Sequence, residues 1–225
     1  MWQQSARRVA RMLVIGGVAL AAGYFTLHAS DGSRGNTILH HAAIQGDELA
    51  VQDALDDGAD VNGLDLAGST PLTLAAHSGS VQTIRTLLIR GAQINVADAC
   101  GQTPLHEAVA FGRIEAAEFL LGCGADVSVR DRFGRTPLHY AAYLDGSGLV
   151  DRLLQRGAQV DAKDAEGHTP LHIAALLGRV AEARSLLEHG ADPNARDAAG
   201  DPALALVDRE RSPQMLELLR KQAAR

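Results

Sequence analysis

The chain has 225 residues, 46% hydrophobic and only 4% aromatic, so it is long enough for one good-sized domain and too apolar for wholesale disorder. All 27 acidic residues but only 18 of the 21 basic ones follow residue 30, which gives that part of the chain a net charge near −9. Such a charge disfavours nucleic-acid phosphates and anionic membrane surfaces, and it favours a neutral or basic protein as partner.

The N-terminal residues have the pattern of an export signal. Three arginines precede the uncharged apolar stretch 12–27, and this order is typical of a secretory signal peptide or a signal anchor. We expect residues 1–29 to be one of the two. The shortness of the stretch and Ala29 favour a cleaved signal, whereas two aromatic residues near its end resemble an interfacial anchor.

Either form of the signal leads to the same location. Because the arginines stay on the cytoplasmic side, the rest of the chain is predicted to be periplasmic or otherwise extracytoplasmic. It would be soluble after cleavage, or anchored to the inner membrane by residues 12–27. Residues 30–34 consist of turn-forming residues and are predicted to be a short linker.

Beyond the linker, three sequence features recur every 33 residues. Thr-Pro pairs begin at Thr70, Thr103, Thr136 and Thr169, Gly-Ala pairs begin at Gly58, Gly91, Gly124, Gly157 and Gly190, and single aspartates occur at Asp65, Asp98, Asp131, Asp164 and Asp197. A strict period over several copies predicts a stacked array of repeats.

Each copy predicts two short helices followed by a loop. In the third copy, Thr103 and Pro104 suit the N-cap and first position of a helix. Gly112 separates this helix from a second one, which Gly124 ends in a left-handed conformation. The residues up to Asp131 then predict a protruding hairpin with a polar turn.

These residues carry a family resemblance. The pattern GxTPLHxAA followed by GADVN resembles the ankyrin repeat over residues 35–225. The resemblance implies an all-α solenoid of helix-turn-helix units joined by β-hairpin-like loops, with about six repeats including two caps. The predicted repeats lie near residues 35–67, 68–100, 101–133, 134–166, 167–199 and 200–225.

The terminal copies depart from the pattern as caps should. Ile38 replaces the proline at the front, and Pro202, Ala203 and Ala205 occupy the Thr, Pro and His positions at the back. End repeats face water on one side, so these departures support two caps. In the fourth repeat, Gly146-Ser147-Gly148 predicts a loosened start of the second helix.

The recurring histidines and aspartates are predicted to be structural. Each histidine belongs to a different repeat, so the set cannot converge on one metal ion. The resemblance implies that they hydrogen-bond within and between repeat turns, and an aspartate before each turn most simply accepts backbone N–H bonds. We therefore expect no metal, cofactor or catalytic group. The histidines are His40, His106, His139 and His172.

The two cysteines fit neither a disulfide framework nor a four-ligand zinc site. In an oxidising compartment a single bridge between Cys100 and Cys123 has to be considered, and it needs a Cα separation below about 7 Å. Cys100 falls at a predicted loop tip and Cys123 at the end of a second helix. These different positions favour free thiols.

Candidate binding residues follow from the resemblance. Ankyrin-like proteins contact partners through loop tips and the inner face of the first helices, where this chain places large apolar side chains. The alternative is that some of them, above all Tyr140, pack against neighbouring repeats. The predicted partner-binding residues are Phe111, Phe133, Tyr140, Tyr143, Leu144, Leu176 and Leu177.

The predicted function is recognition of another protein outside the cytoplasm. Two roles compete within it, an immunity or inhibitor protein that occludes an exported toxin or hydrolase, and a scaffold for an envelope enzyme. A host-directed effector is a third interpretation. An enzyme is the rival class, but no constellation of catalytic residues supports it and no small-molecule substrate is expected.

Overall fold

The computed structural model describes residues 37–146 and 148–223. The predicted export segment, residues 1–29, and the linker, residues 30–34, lie outside the described residues. All described helices belong to one compact unit, Gly35–Arg225. None of them is long and apolar enough to cross a bilayer.

The described residues form eleven α-helices, a first and a second helix in each of five repeats and one helix in the last unit. The first helices are α1 (Ile38–Gln45), α3 (Pro71–Ser78), α5 (Pro104–Ala110), α7 (Pro137–Tyr143) and α9 (Pro170–Leu177). The second helices are α2 (Glu48–Asp56), α4 (Val81–Ile89), α6 (Ile114–Gly122), α8 (Leu149–Gln155), α10 (Val180–Glu188) and α11 (Pro213–Ala223). The all-α repeat architecture predicted from the 33-residue period is confirmed.

The first helices begin where the sequence predicts. Thr103 has an extended backbone before α5, and Pro104 takes the first helical position, where its missing N–H leaves no bond unmade. The ring nitrogen Nδ1 of His106 accepts a bond from the backbone N–H of Thr103 at 3.2 Å, which closes a capping box. The carboxyl ends can also follow the sequence prediction. The first helix of the fifth repeat, α9, ends before Gly178, which has φ +72°.

The second helix of the fourth repeat starts late, as predicted. Helix α6 begins eleven residues after Thr103, whereas α8 begins at Leu149, thirteen residues after Thr136. Gly148, in a left-handed conformation, precedes α8 and offers no side chain to cap it. Glu182 of α10 instead accepts a bond from the backbone N–H of Gly146 at 2.6 Å, which ties this loop to the next repeat.

The loops between repeats are less regular than the predicted hairpins. No β-strand occurs in the described part of the chain, where a single isolated bridge joins Arg196 and Pro202. Adjacent loops are nevertheless tied by backbone bonds, such as the one from the N–H of Arg132 to the carbonyl of Cys100 at 2.9 Å. Because each loop bonds to the next, the loops form a row along one edge of the array.

Close approach between loops requires glycine. Gly167 has φ +79°, and a Cβ at this position would lie 2.7 Å from the backbone nitrogen of Ala198 in the next loop. A side chain there would push the two loops apart, and the left-handed conformation adds strain of its own.

Two layers of helices enclose the core. First helices pack on the first helices of adjacent repeats, and second helices pack on second helices. Within each repeat, the first and the second helix also pack on each other. Leucines at two equivalent positions of four successive repeats are fully buried, so the core has the 33-residue period of the sequence. They are Leu72, Leu105, Leu138 and Leu171 in the first layer, and Leu87, Leu120, Leu153 and Leu186 in the second.

Both ends of the array differ from the interior. Ile38 is 79% exposed, whereas the corresponding prolines of the interior repeats are buried. In the last unit the first helix is reduced to a 3₁₀ turn, Ala203–Leu206. Helix α11 then buries Met215 and Leu219 against the array.

Candidate protein-binding surface

The aspartate of each loop organises its own turn. Oδ1 of Asp131 accepts bonds from the backbone N–H groups of Phe133 and Arg135, both at 2.8 Å. Asp98 does the same for Cys100 and Gln102, and the other three aspartates of the series repeat the pattern. The prediction that these carboxylates shape the turns is confirmed.

The recurring histidines link successive repeats. Nε2 of His106 donates to the carbonyl of Arg135 at 3.2 Å, and Nε2 of His139 donates to the carbonyl of His168 at 3.1 Å. Burial lowers the pKa of His106 and of His139 to about 4, so both rings are neutral at pH 7. The structural role predicted for them is confirmed.

Tyr140 belongs to the core, so its assignment to the partner-binding set is corrected. The side chain is 4% exposed. Its hydroxyl donates to Oδ2 of Asp131 at 2.6 Å and accepts from Nε2 of Gln102 at 3.0 Å. Burial, with the carboxylate of Asp131, raises the pKa of Tyr140. Its hydroxyl thus both donates and accepts a bond within the chain, and burial keeps the side chain from a partner.

Leu176 is the second correction. It is 5% exposed and lies within the first-helix layer, although it shares the helix of Leu177. Two adjacent residues on a helix point about 100° apart, so one of them can be buried while the next reaches the surface. Leu177 is the member of this pair that remains half-buried.

Four of the predicted residues form a strip that we call the first-helix patch, namely Phe111, Tyr143, Leu144 and Leu177. All four are half-buried and lie at the carboxyl ends of α5, α7 and α9. Leu144 packs next to Gly112, since a Cβ on that glycine would lie 3.9 Å from its Cδ1. The three helices are neighbours in the stack, so the patch spans three consecutive repeats.

His77 extends this surface into the second repeat. Its ring lies 4.0 Å from the ring of Phe111, centroid to centroid. Its Nδ1 lies 3.0 Å from Oε2 of Glu107, a buried carboxylate on α5. Sequence reasoning missed His77, although it occupies the position of Tyr143 two repeats earlier, and comparison of these positions would have found it.

Two arginines beside the patch were also missed. Nε of Arg113 donates to the carbonyl of His77 at 2.9 Å, and Nε of Arg179 donates to the carbonyl of Tyr143 at 3.0 Å. Each stands just before a second helix, and each reaches a carbonyl 36 residues earlier. Their equal spacing from the Thr-Pro pairs was the available signal.

Phe133 lies apart from the patch. It is 42% exposed in the loop that precedes α7, and the guanidinium of Arg135 stacks on it with its central carbon 5.2 Å from the ring centroid. Since this loop leads into the amino end of α7, Phe133 is separated from the carboxyl ends of the first helices by the length of that helix. The structure therefore does not bring it together with the other predicted residues.

Charged side chains cluster at the loops of the fourth and fifth repeats. Asp164, Glu166 and His168 have potential ligand atoms within 4.8 Å of one another. His168 lies between Asp164 (Nδ1 to Oδ2, 3.5 Å) and Asp197 (Nε2 to Oδ2, 3.7 Å), and Nε of Arg135 is 3.9 Å from the same Asp164 oxygen. A divalent cation would face this guanidinium, so the cluster is better explained as an ion-pair network between loops.

The cysteines are both free and exposed. Cys100 lies in the second loop and Cys123 at the end of α6, as the sequence indicated. Partial burial of the thiol and the neighbouring Asp98 raise the pKa of Cys100, which makes it less nucleophilic at neutral pH.

Comparison with protein families agrees with the geometry. A family model described as Ankyrin repeats (3 copies) matches residues 9–98, 39–131 and 105–197, and these matches cover more than half of the chain. The chain belongs to the ankyrin-repeat family. No curated protein matches it. Ankyrin repeats generally mediate protein–protein interaction and are typically non-enzymatic. The first match begins within the predicted export segment.

Proposed function

We propose that this ankyrin-repeat protein recognises another protein through the first-helix patch and acts outside the cytoplasm. The observation that carries the proposal is the partial exposure of four large apolar side chains in three consecutive repeats, Phe111, Tyr143, Leu144 and Leu177. Their fold-determining neighbours on the same helices are buried, whereas these four reach the surface, and groups of apolar side chains at a surface mark interaction sites. Large apolar and aromatic side chains also supply most of the energy of protein interfaces.

The patch is local to three repeats. The position of Phe111, Leu144 and Leu177 is occupied by Gln45 and Ser78 in the first two repeats. A solenoid needs no apolar side chain at this position, since the first two repeats stack with polar residues there. The apolar choice in the third, fourth and fifth repeats is therefore better explained by a ligand than by stability.

The chain supports binding better than chemistry. Its recurring histidines and aspartates, the residue types most useful in catalysis, are used in caps, turns and bonds between repeats. The net negative charge of the chain after residue 30 favours approach of a partner with a neutral or positive overall charge.

Binding can be tested with the tagged full chain as bait in an envelope extract. Proteins recovered with wild type should be lost with the double variant Phe111→Ala, Tyr143→Ala. Truncation of an interface anchor commonly costs about 2 kcal/mol, or about thirtyfold in affinity. Phe119→Ala is a matched control, because Phe119 is a half-buried aromatic residue on a second helix, where Arg85 stacks on it.

The purified partner then allows affinities to be measured for each variant. Weak binding by the double variant with normal binding by Phe119→Ala supports the proposal. Equal binding by all three proteins would exclude the first-helix patch. If the partner is an enzyme, loss of its activity in the complex identifies an inhibitor, and retained activity identifies a scaffold.

The location is tested separately. A reporter enzyme that is active only in the cytoplasm, fused after Arg225, should be silent if the body is exported. An active reporter would contradict the predicted topology. The patch could still bind a protein in that case, so the two parts of the proposal are independent.

A further inference from the structure

The two arginines beside the first-helix patch make the same backbone contact but differ in their charge partner. Arg179 bonds through Nη1 to Oδ2 of Asp145 at 3.0 Å, in addition to its bond to the carbonyl of Tyr143. Arg113 makes the backbone bond to His77 and no ion pair with any residue in 37–146 or 148–223. Within the described part of the chain, the guanidinium of Arg179 is thus paired with a carboxylate and that of Arg113 is not.

The difference in ion pairing between the two arginines comes from one position in the repeat. Asp145 precedes Arg179 by 34 residues, and the residue 34 before Arg113 is Gly79. A Cβ on Gly79 would lie 2.9 Å from Cδ of Arg113, so the aliphatic stem of the arginine rests where a side chain would begin. No carboxylate can be supplied from this position.

The guanidinium of Arg113 is held in place. The stem of Arg113 lies on Gly79, and its Nε is fixed by the carbonyl of His77. This leaves the terminal nitrogens of an exposed fork, a geometry that suits a carboxylate with two parallel bonds. Because two contacts already order the side chain, little further conformational entropy is lost when an acid binds.

An apolar side chain of the first-helix patch lies next to Arg113 in the sequence. Phe111 precedes Arg113 by two residues, and its ring lies against His77, the residue whose carbonyl holds Arg113. The nearby carboxylate of Glu107 is paired with His77. A ligand side chain over Phe111 would therefore bring its neighbouring residue close to a cation that has no ion-pair partner within residues 37–146 and 148–223.

We propose that the partner places a carboxylate on Arg113 next to an apolar side chain on Phe111, as Asp145 is placed on Arg179. This inference rests on the proposed function and specifies its partner, a protein segment with an aspartate or glutamate beside a large apolar residue. The net negative charge of the chain acts at long range, whereas this contact is local, so a partner of positive overall charge can still supply the acid.

A phage-displayed library of random peptides, selected on the full chain, provides a defined probe. Selected peptides should carry an acidic residue beside an apolar one, and replacement of that acid by its amide should weaken binding at least about tenfold. Arg113→Gln should weaken the acidic peptides by a similar factor and the amide peptides hardly at all. Added salt should weaken binding to wild type more than to Arg113→Gln.

Arg179→Gln is the matched control. It removes the same kind of backbone bond and an arginine at the equivalent position, but its charge is already paired with Asp145. Binding to this variant should stay within about twofold of wild type, and urea denaturation of both variants separates lost stability from lost binding. Arg113→Lys should restore binding only in part, because an ammonium lacks the fork.

Each contrary result has a distinct meaning. Peptides that depend on Phe111 and Tyr143 but bind Arg113→Gln normally would refute the carboxylate contact and leave the proposed function standing. Peptides that are insensitive to Phe111→Ala and Tyr143→Ala would refute the patch itself. Self-association of the full chain that Arg113→Gln abolishes would show that a second copy supplies the acid, which refutes a separate partner.

Discussion

Lowering the pH from neutrality to 5 should destabilise the repeat array through His106 and His139. Burial holds the pKa of each ring at about 4 in the folded protein, against an ordinary value near 6.5. Between these values the unfolded chain binds a proton at each site and the folded chain does not. Stability from these groups is therefore complete above pH 6.5 and is lost as the pH falls.

The size of the effect follows from the two pKa values. At pH 5 an unfolded histidine of ordinary pKa gains about 2 kcal/mol from protonation, and a folded one with a pKa of about 4 gains almost nothing, so the pair loses about 4 kcal/mol. That is a large fraction of the stability of an ordinary domain, about 5–15 kcal/mol. Three groups act in the opposite sense. Burial raises the pKa of Asp98 to about 6 and also raises the pKa of Asp161, and the pKa of His168 is raised by Asp164 and Asp197 against the effect of burial.

Single variants isolate the histidine contribution from these opposing groups. Urea denaturation would be followed between pH 7.5 and 5 for wild type, His106→Gln and His139→Gln, with His41→Gln as a control at an exposed site. Each core variant should be less stable than wild type at pH 7.5 but should lose about 2 kcal/mol less on acidification. An unchanged pH dependence in both variants would refute the assignment of the acid sensitivity to these rings.

Three further predictions concern packing, each measured by denaturation in urea. Tyr140→Phe should lose about 2–4 kcal/mol, because it leaves a buried carboxylate and a buried amide without their partner, whereas Tyr143→Phe should stay within about 0.5 kcal/mol of wild type. Leu120→Ala should lose about 2–5 kcal/mol through a core cavity, and a smaller loss would mean that the second-helix layer closes around the gap. Gly167→Ala should be more destabilising than Gly157→Ala by about 1 kcal/mol or more, since both have positive φ but only Gly167 faces the next loop's backbone; equal losses would contradict the clash.

Most of the fold could be predicted from the sequence because each repeat carries its own local signals. Thr103 and Pro104 mark a helix start by capping chemistry, and Gly124, with φ +89°, marks the turn after α6. The 3₁₀ turn Ala203–Leu206 could not be predicted as such. The departure from the Thr-Pro pattern showed that the first helix of this unit is altered, but not what replaces it.

The binding residues were harder to predict, as Tyr140 and Tyr143 illustrate. Both are aromatic, both lie on α7, and both were predicted to bind a partner, although packing against a neighbouring repeat was the stated alternative for Tyr140. What buries Tyr140 is an amide from Gln102 and a carboxylate from Asp131, which stand 38 and 9 residues away on two different loops. Such a convergence depends on the stacking of repeats, so it is visible only once the loops are placed.

The residues that each repeat uses for folding limit the positions at which this protein can bind a partner. The threonine, the histidine and the loop aspartate are used by the fold, so the proposed contacts fall on other positions, the last residues of the first helices and the arginine before a second helix. Phe111, Leu144 and Leu177 lie in separate repeats, and strong binding therefore needs them to be correctly spaced. That spacing is set by the contacts between loops and by the bonds from His106 and His139 to the following repeat. A change that alters the stacking without touching the patch should then weaken binding as well as stability.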